Sequence, residues 1–268
     1  MQASGQNVAG SATAQSQLWG IRAKDWAEVQ EGMVRPLYEA VLRKAGIGKG
    51  TSLLDVGCGA GMFCELAANL GARITGLDAT PELLAIARKR VPNGDFRTGE
   101  MEALPYPDQA FQVITGFNSF QFAATPSNAL REAKRVARSG ASVVVATWGK
   151  PEDCEAAAYL AALRPLLPPP PPGAPGPFAL SNDGALEALV SMANLTPKDV
   201  EDVDCTFEYP DLETALRGLD SAGPAVKAIQ TSGETAVRDA VAKALVPFRL
   251  SSGAYRMRNK FRYLVATA

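Results

Sequence analysis

Residues 53–61 read Leu53-Leu54-Asp55-Val56-Gly57-Cys58-Gly59-Ala60-Gly61. The two leucines end a short apolar run suited to a buried strand, and Met62-Phe63-Cys64-Glu65-Leu66-Ala67-Ala68 after the glycines is helix material. A strand, a glycine turn and a helix in that order bring backbone N–H groups up to a ligand. Such a turn needs positive φ and no Cβ between main chain and ligand, which glycine at 57, 59 and 61 supplies. Asp55, expected at the lip of the turn, would repel a diphosphate and hold an ammonium. A dinucleotide fingerprint would also carry its third glycine three residues after the second, and position 62 is Met. Both features disfavour a nicotinamide oxidoreductase.

Outward from this loop, Arg73 to Asp78 reads as a second strand ending in an acid 21 residues after Gly57. A carboxylate at that place can accept both hydroxyls of a ribose. It can also cap the helix that starts at Thr80-Pro81-Glu82 and runs to Arg90, and the two roles are compatible. Phe111 to Phe122 reads as a fourth strand running into a loop. A helix is expected over 127–138, ended by Ser139-Gly140, and Ala141 to Trp148 is a β-branched fifth strand. Strands alternating with helices from 52 to 148 require a parallel, doubly wound α/β sheet.

Asp55-Val56-Gly57-Cys58-Gly59-Ala60-Gly61 resembles the cofactor loop of class I S-adenosylmethionine-dependent methyltransferases. Gly99-Glu100-Met101-Glu102-Ala103-Leu104-Pro105-Tyr106 is similar to that family's adenine-side segment, usually Gly-Asp-Ala-Glu-x-Leu-Pro-Phe, with Glu100 for Asp and Met101 for Ala. The subgroup typified by quinone-biosynthesis methyltransferases often carries two histidines after the fourth strand. This chain has no histidine, and Gln121-Phe122 stands there. The resemblance implies a mostly parallel seven-stranded Rossmann-like sheet with helical cap and lid insertions. It implies S-adenosyl-L-methionine as cofactor, S-adenosyl-L-homocysteine as product, and a small-molecule methyl acceptor. The cofactor residues it implies are Asp55, Gly57, Cys58, Gly59, Gly61, Asp78, Ala79, Glu100, Met101, Glu102 and Phe117. Glu100 and Glu102 read equally as residues of a solvated loop. A non-catalytic binder of the same cofactor is the alternative function.

Charge and composition narrow the classes further. Of 268 residues 47% are hydrophobic, and 27 basic against 28 acidic side chains leave a net charge of −1. With no basic tract and no Asn/Asp-Pro-Pro-aromatic tetrapeptide, no nucleic-acid partner is expected. No apolar run approaches the ~20 residues of a membrane span, and residues 1–16 have neither the positive region nor the apolar core of a secretory signal. Cys58, Cys64, Cys154 and Cys205 show no metal-ligand spacing and read as reduced thiols, so a cytoplasmic protein without metal or membrane partner is expected.

The expected organisation is a disordered tail over 1–17 followed by one methyltransferase domain over 18–268. Within it, 18–46 are cap helices, 51–149 the cofactor core, 150–182 a Pro-rich connector and 211–250 a helical lid. Helical pattern runs from Leu18 to Ala45, with Trp19 and Trp26 as either pocket lining or core anchors. Polyproline II is expected through 165–177, a helix over 183–193, and strands over 201–209 and 255–266. Trp19, Trp26, Gln121 and Tyr209 are the candidate acceptor residues, and a flat or hydrophobic acceptor suits so many rings. Methyl transfer needs a base only where the acceptor must lose a proton. Asp25, Glu31, Tyr38 and Tyr209 are the candidates, with no catalytic residue singled out.

Overall fold

The computed structural model describes residues 10–169 and 176–268. The disordered reading of residues 1–9 and the polyproline reading of 170–175 lie outside the described residues. The rest of the expected tail is ordered into a helix, α1 (Ala12–Trp19). It buries no residue of its own. It is anchored at its ends, where Glu100 Oε2 accepts the Ala12 N–H at 2.8 Å and Trp19 lies against Gly223. The continuous helix expected over 18–45 is broken instead. A short turn α2 (Ala23–Asp25), a π-helical turn Trp26–Gln30 and a 3-10 turn Glu31–Val34 precede α3 (Arg35–Lys44). Two causes are visible. Pro36 lacks an N–H for the i−4 carbonyl, and the Ala27 carbonyl is taken at 3.0 Å by the Arg90 guanidinium.

The core then alternates strand and helix: β1 (Ser52–Val56), α4 (Met62–Asn69), β2 (Arg73–Asp78), α5 (Pro81–Arg90), β3 (Asp95–Thr98), β4 (Phe111–Phe117), α6 (Pro126–Val136) and β5 (Ala137–Trp148). These five strands pair in parallel. Side chains alternate between two cores. Leu53, Val144 and Ala146 pack with α3, α4 and α5, whereas Leu54, Val56, Val143 and Val145 pack with α6 on the other face. The α6 helix stops two residues before the expected 138, because the Ala110 and Gln109 N–H groups take its last carbonyls at Val136 and Arg135.

After β5 come α7 (Ala157–Leu163), α8 (Ala185–Met192), β6 (Thr196–Asp204), β7 (Phe207–Tyr209), α9 (Leu212–Leu219), α10 (Gly223–Ser232), α11 (Glu234–Leu245), β8 (Tyr255–Met257) and β9 (Lys260–Thr267). The seven-stranded sheet has the order β3-β2-β1-β4-β5-β9-β6, with β9 antiparallel between β5 and β6. The strand expected over 201–209 is two strands, one on the sheet edge and one in a separate β7–β8 ribbon. The strand expected over 255–266 is split by Asn259. Its buried amide donates to Met257 O at 3.1 Å and accepts from Ala156 N at 2.9 Å, which turns the chain out of the ladder. The strand order reverses between β1 and β4, and the glycine loop emerges at that switch point.

Candidate active site

The loop glycines answer two demands. All three have positive φ, +74° at Gly57, +55° at Gly59 and +82° at Gly61. A Cβ at Gly57 would overlap Ser119, and one at Gly61 would lie 2.8 Å from Ala87 Cβ, so these two permit close packing of loop and helix. At Gly59 the nearest atoms are Trp26 Nε1 at 3.7 Å and Glu31 Oε1 at 3.8 Å, in open space that faces the cavity. The loop is hung from β2, since Gly57 N and Cys58 N both donate to Leu77 O, at 2.7 and 3.1 Å. Gly59→Val is expected to abolish cofactor binding, because a β-branched residue resists this φ and its side chain would enter the cavity. Titration calorimetry on the folded variant checks this, and binding at wild-type strength would contradict it.

Three loop residues do not reach the cavity. Asp55, expected at the lip, is buried below the turn with 2% of its surface exposed. Its Oδ1 accepts from Thr115 Oγ1 at 2.7 Å and its Oδ2 from Cys64 Sγ at 3.7 Å. Burial pushes its pKa up to about 7, against the opposing pull of those two donors. The Cys58 thiol points into the core beside Gly76, and Gly61 starts α4 behind the loop. Asp55, Cys58 and Gly61 therefore support the loop from behind. The reason is local: alternation along β1 directs residue 55 into the layer that holds Cys64.

On the other side of the turn, Asp78, Ala79, Glu100 and Met101 do line the cavity, with Phe117. Asp78 Oδ2 accepts the Gly59 N–H and Oδ1 the Thr80 N–H, both at 2.9 Å. The carboxylate thus ties loop to strand, and each oxygen keeps a lone pair for a ligand. Burial raises its pKa. The helix cap of α5 is Thr80, so Asp78 forms a turn just before the helix instead of capping it. Glu102 is turned away. Its Oε1 accepts from Thr125 N at 3.0 Å and its Oε2 from Asn128 Nδ2 at 3.3 Å, which fixes the start of α6. Glu100 stays at the cavity, where it holds the first N–H of α1.

The cap contributes more than its tryptophans. Trp19 and Trp26 meet edge to face at 4.9 Å, Trp19 approaches Phe122 at 6.0 Å, and all three line the cavity, as does Gln121. Tyr209 does not. It lies behind Gln30 and donates to Gln30 Oε1 at 2.8 Å. Asp25 pairs with Arg217 of α9 at 2.6 Å and is not in the cavity. Glu31 is committed as well. Its Oε1 accepts the Met62 N–H at the start of α4 at 3.2 Å, and its Oε2 is bridged by Arg90. Arg90 also binds the Ala60 and Ala27 carbonyls at 3.0 Å each. Burial pushes the Glu31 carboxyl above its usual range despite Arg90. This clamp between cap and cofactor loop escaped the sequence, where Arg90 reads only as a basic helix end. Tyr38, Phe117, Trp148, Tyr159, Phe207 and Phe261 form an aromatic part of the cavity, a chamber that Leu219, Ala222 and Pro224 of the 211–250 segment also line. The only charged side chains that line the cavity, among the described residues, are Asp78 and Glu100.

A family model described as a methyltransferase domain matches residues 54–145. An uncharacterized protein of Mycobacterium tuberculosis is 32% identical over 168 residues, 61% of this chain and 60% of its own length. The demethylmenaquinone methyltransferase of Renibacterium salmoninarum is 32% identical over 120 residues, 45% of this chain and 51% of its own. The match thus spans 60% or less of the length of these relatives. A SAM-dependent methyltransferase from Aquifex aeolicus shares the fold, with a TM-score of 0.53 at 20% identity over 68% of this chain and 92% of that one.

Proposed function

We propose that the protein, whose residues 54–145 match a methyltransferase domain model, is a class I S-adenosylmethionine-dependent methyltransferase that methylates a small, flat, largely apolar molecule. The observation that carries this reading is the shape of the cavity. It runs from Glu100 and Met101 past Asp78 and Gly59 into a chamber of aromatic walls. When bound, S-adenosylmethionine supplies a sulfonium-activated methyl carbon, to which the acceptor adds an electron pair as the carbon–sulfur bond breaks onto sulfur. Asp78 offers two free lone pairs to the ribose hydroxyls, and Glu100 an acceptor to the adenine amino group. The Gly57–Gly59 turn leaves room for the amino-acid end. The walls exclude water and hold the acceptor in line. No charged side chain lines the chamber among the described residues, so an acceptor proton passes to water.

Asp78→Ala is expected to weaken S-adenosylhomocysteine binding roughly 10–150-fold, the worth of charge-assisted hydrogen bonds to a ribose. It also frees the Gly59 N–H, so circular dichroism must confirm the fold alongside the titration. Unchanged affinity would leave Asp78 a purely structural residue. Product formation from a panel of phenols, quinols, amines and carboxylic acids tests the acceptor. Cofactor binding without any methylated product would favour a non-catalytic binder.

A further inference from the structure

Gln30 is a polar side chain that lines the cavity, and it is 7% exposed. It sits at the end of the π-helical turn Trp26–Gln30. Its Oε1 accepts the hydroxyl of Tyr209, which is itself buried and outside the cavity. The same oxygen lies 3.0 Å from where a Cβ at Gly218 would be, so α9 comes close because that residue is glycine. With Oε1 held on that side, the Nε2 group is left without a hydrogen-bond partner among the described residues. Tyr38 also lines the cavity, and its hydroxyl has no hydrogen-bond partner among the described residues. The cavity is thus lined by donors as well as by the unpartnered acceptors Gln121 Oε1 and Ser119 Oγ.

We infer that Gln30 is the acceptor-orienting residue, and that its Nε2 N–H donates to an oxygen of the molecule to be methylated, with Tyr209 as the positioning residue that fixes the amide. This rests on the methyltransferase reading and sharpens it to acceptors that carry a carbonyl, enolate or phenolate oxygen. Hydrogen bonds to such an oxygen stabilise it in the anionic form that attacks methyl. The acceptor's own acidity then replaces a protein base: its proton goes to water, its electron pair to the methyl carbon, and the carbon–sulfur pair to sulfur.

The test uses two probes that differ by one acceptor-only oxygen, 1-tetralone and tetralin. Their binding is measured by equilibrium dialysis to the full chain saturated with S-adenosylhomocysteine. The informative variant is Gln30→Leu/Tyr209→Phe, because it removes both members of the buried pair and orphans neither. The ratio of tetralone to tetralin affinity should fall roughly 2–12-fold in this variant, the worth of one neutral hydrogen bond. Tetralin affinity should hold within about twofold. Tyr209→Phe alone should lower the ratio by less, since the amide becomes free to turn. An unchanged ratio, or an equal loss of both probes, would overturn the inference while leaving the methyltransferase reading intact. Failure of the wild-type chain to bind S-adenosylhomocysteine would sink that reading, and the inference with it.

Discussion

Asp55→Asn should be more stable than the wild-type chain above pH 7 and no more stable below about pH 4. The Asp55 carboxyl is buried and its pKa is pushed up to about 7, against 3.8 for the free side chain. The folded state therefore holds this proton more tightly than the unfolded state does. Stability from this group is fully present below the unfolded pKa and is lost as pH rises to the folded one. Over that window the wild-type chain should lose on the order of 4 kcal/mol, since each pKa unit corresponds to about 1.4 kcal/mol. Asp220, whose pKa burial raises to about 6, adds a slope of the same sign. That slope is common to both proteins and cancels in their difference. Urea denaturation at pH 5 and pH 8 checks the expectation. A wild-type midpoint that falls relative to the variant supports it, and parallel curves contradict it.

Glu31→Leu should cost roughly 3–5 kcal/mol of stability, the usual consequence of leaving one charge of a buried pair uncompensated. The Glu31 side chain is 3% exposed and that of Arg90 19%. The leucine would also leave the Met62 N–H without its acceptor. Because Glu31 joins the cap to the loop, cofactor binding should weaken along with stability. The double variant Glu31→Leu/Arg90→Met should recover most of the loss, as apolar replacements of buried ion pairs often do. Denaturation of the single and double variants measures this. A loss below about 1 kcal/mol in the single variant would show that cap and loop are held by their apolar contacts instead.

The parts of the fold legible in the sequence are those written in local pattern. Glycine at 57, 59 and 61 between an apolar run and a helix, with an acid 21 residues after the first, marks the switch point wherever the rest of the chain goes. The alternating strand and helix periods from 52 to 148 likewise foretold the parallel sheet. What escaped depends on contacts distant in sequence. Arg90 meets Glu31 across 59 residues, and Tyr209 meets Gln30 across 179. No local spacing marks either pair. Asp55 was misplaced for a related reason: its residue type suits a ligand, but strand alternation and the Thr115 and Cys64 donors draw it under the loop. The helix breaks in the cap were half visible, since Pro36 announces one of them, whereas the Arg90 bond to the Ala27 carbonyl does not show in sequence.

The cavity between Gly59, Asp78 and Glu100 is expected to take a sulfonium nucleoside and not a dinucleotide. Isothermal titration of the full chain with S-adenosylmethionine, S-adenosylhomocysteine and NADH tests it most directly. Saturable heat is expected with the first two and none with the third. Each bound ligand, at ~100 times its dissociation constant, should raise stability by about 2.7 kcal/mol in parallel thermal unfolding. Heat with NADH and silence with both S-adenosyl compounds would contradict this expectation.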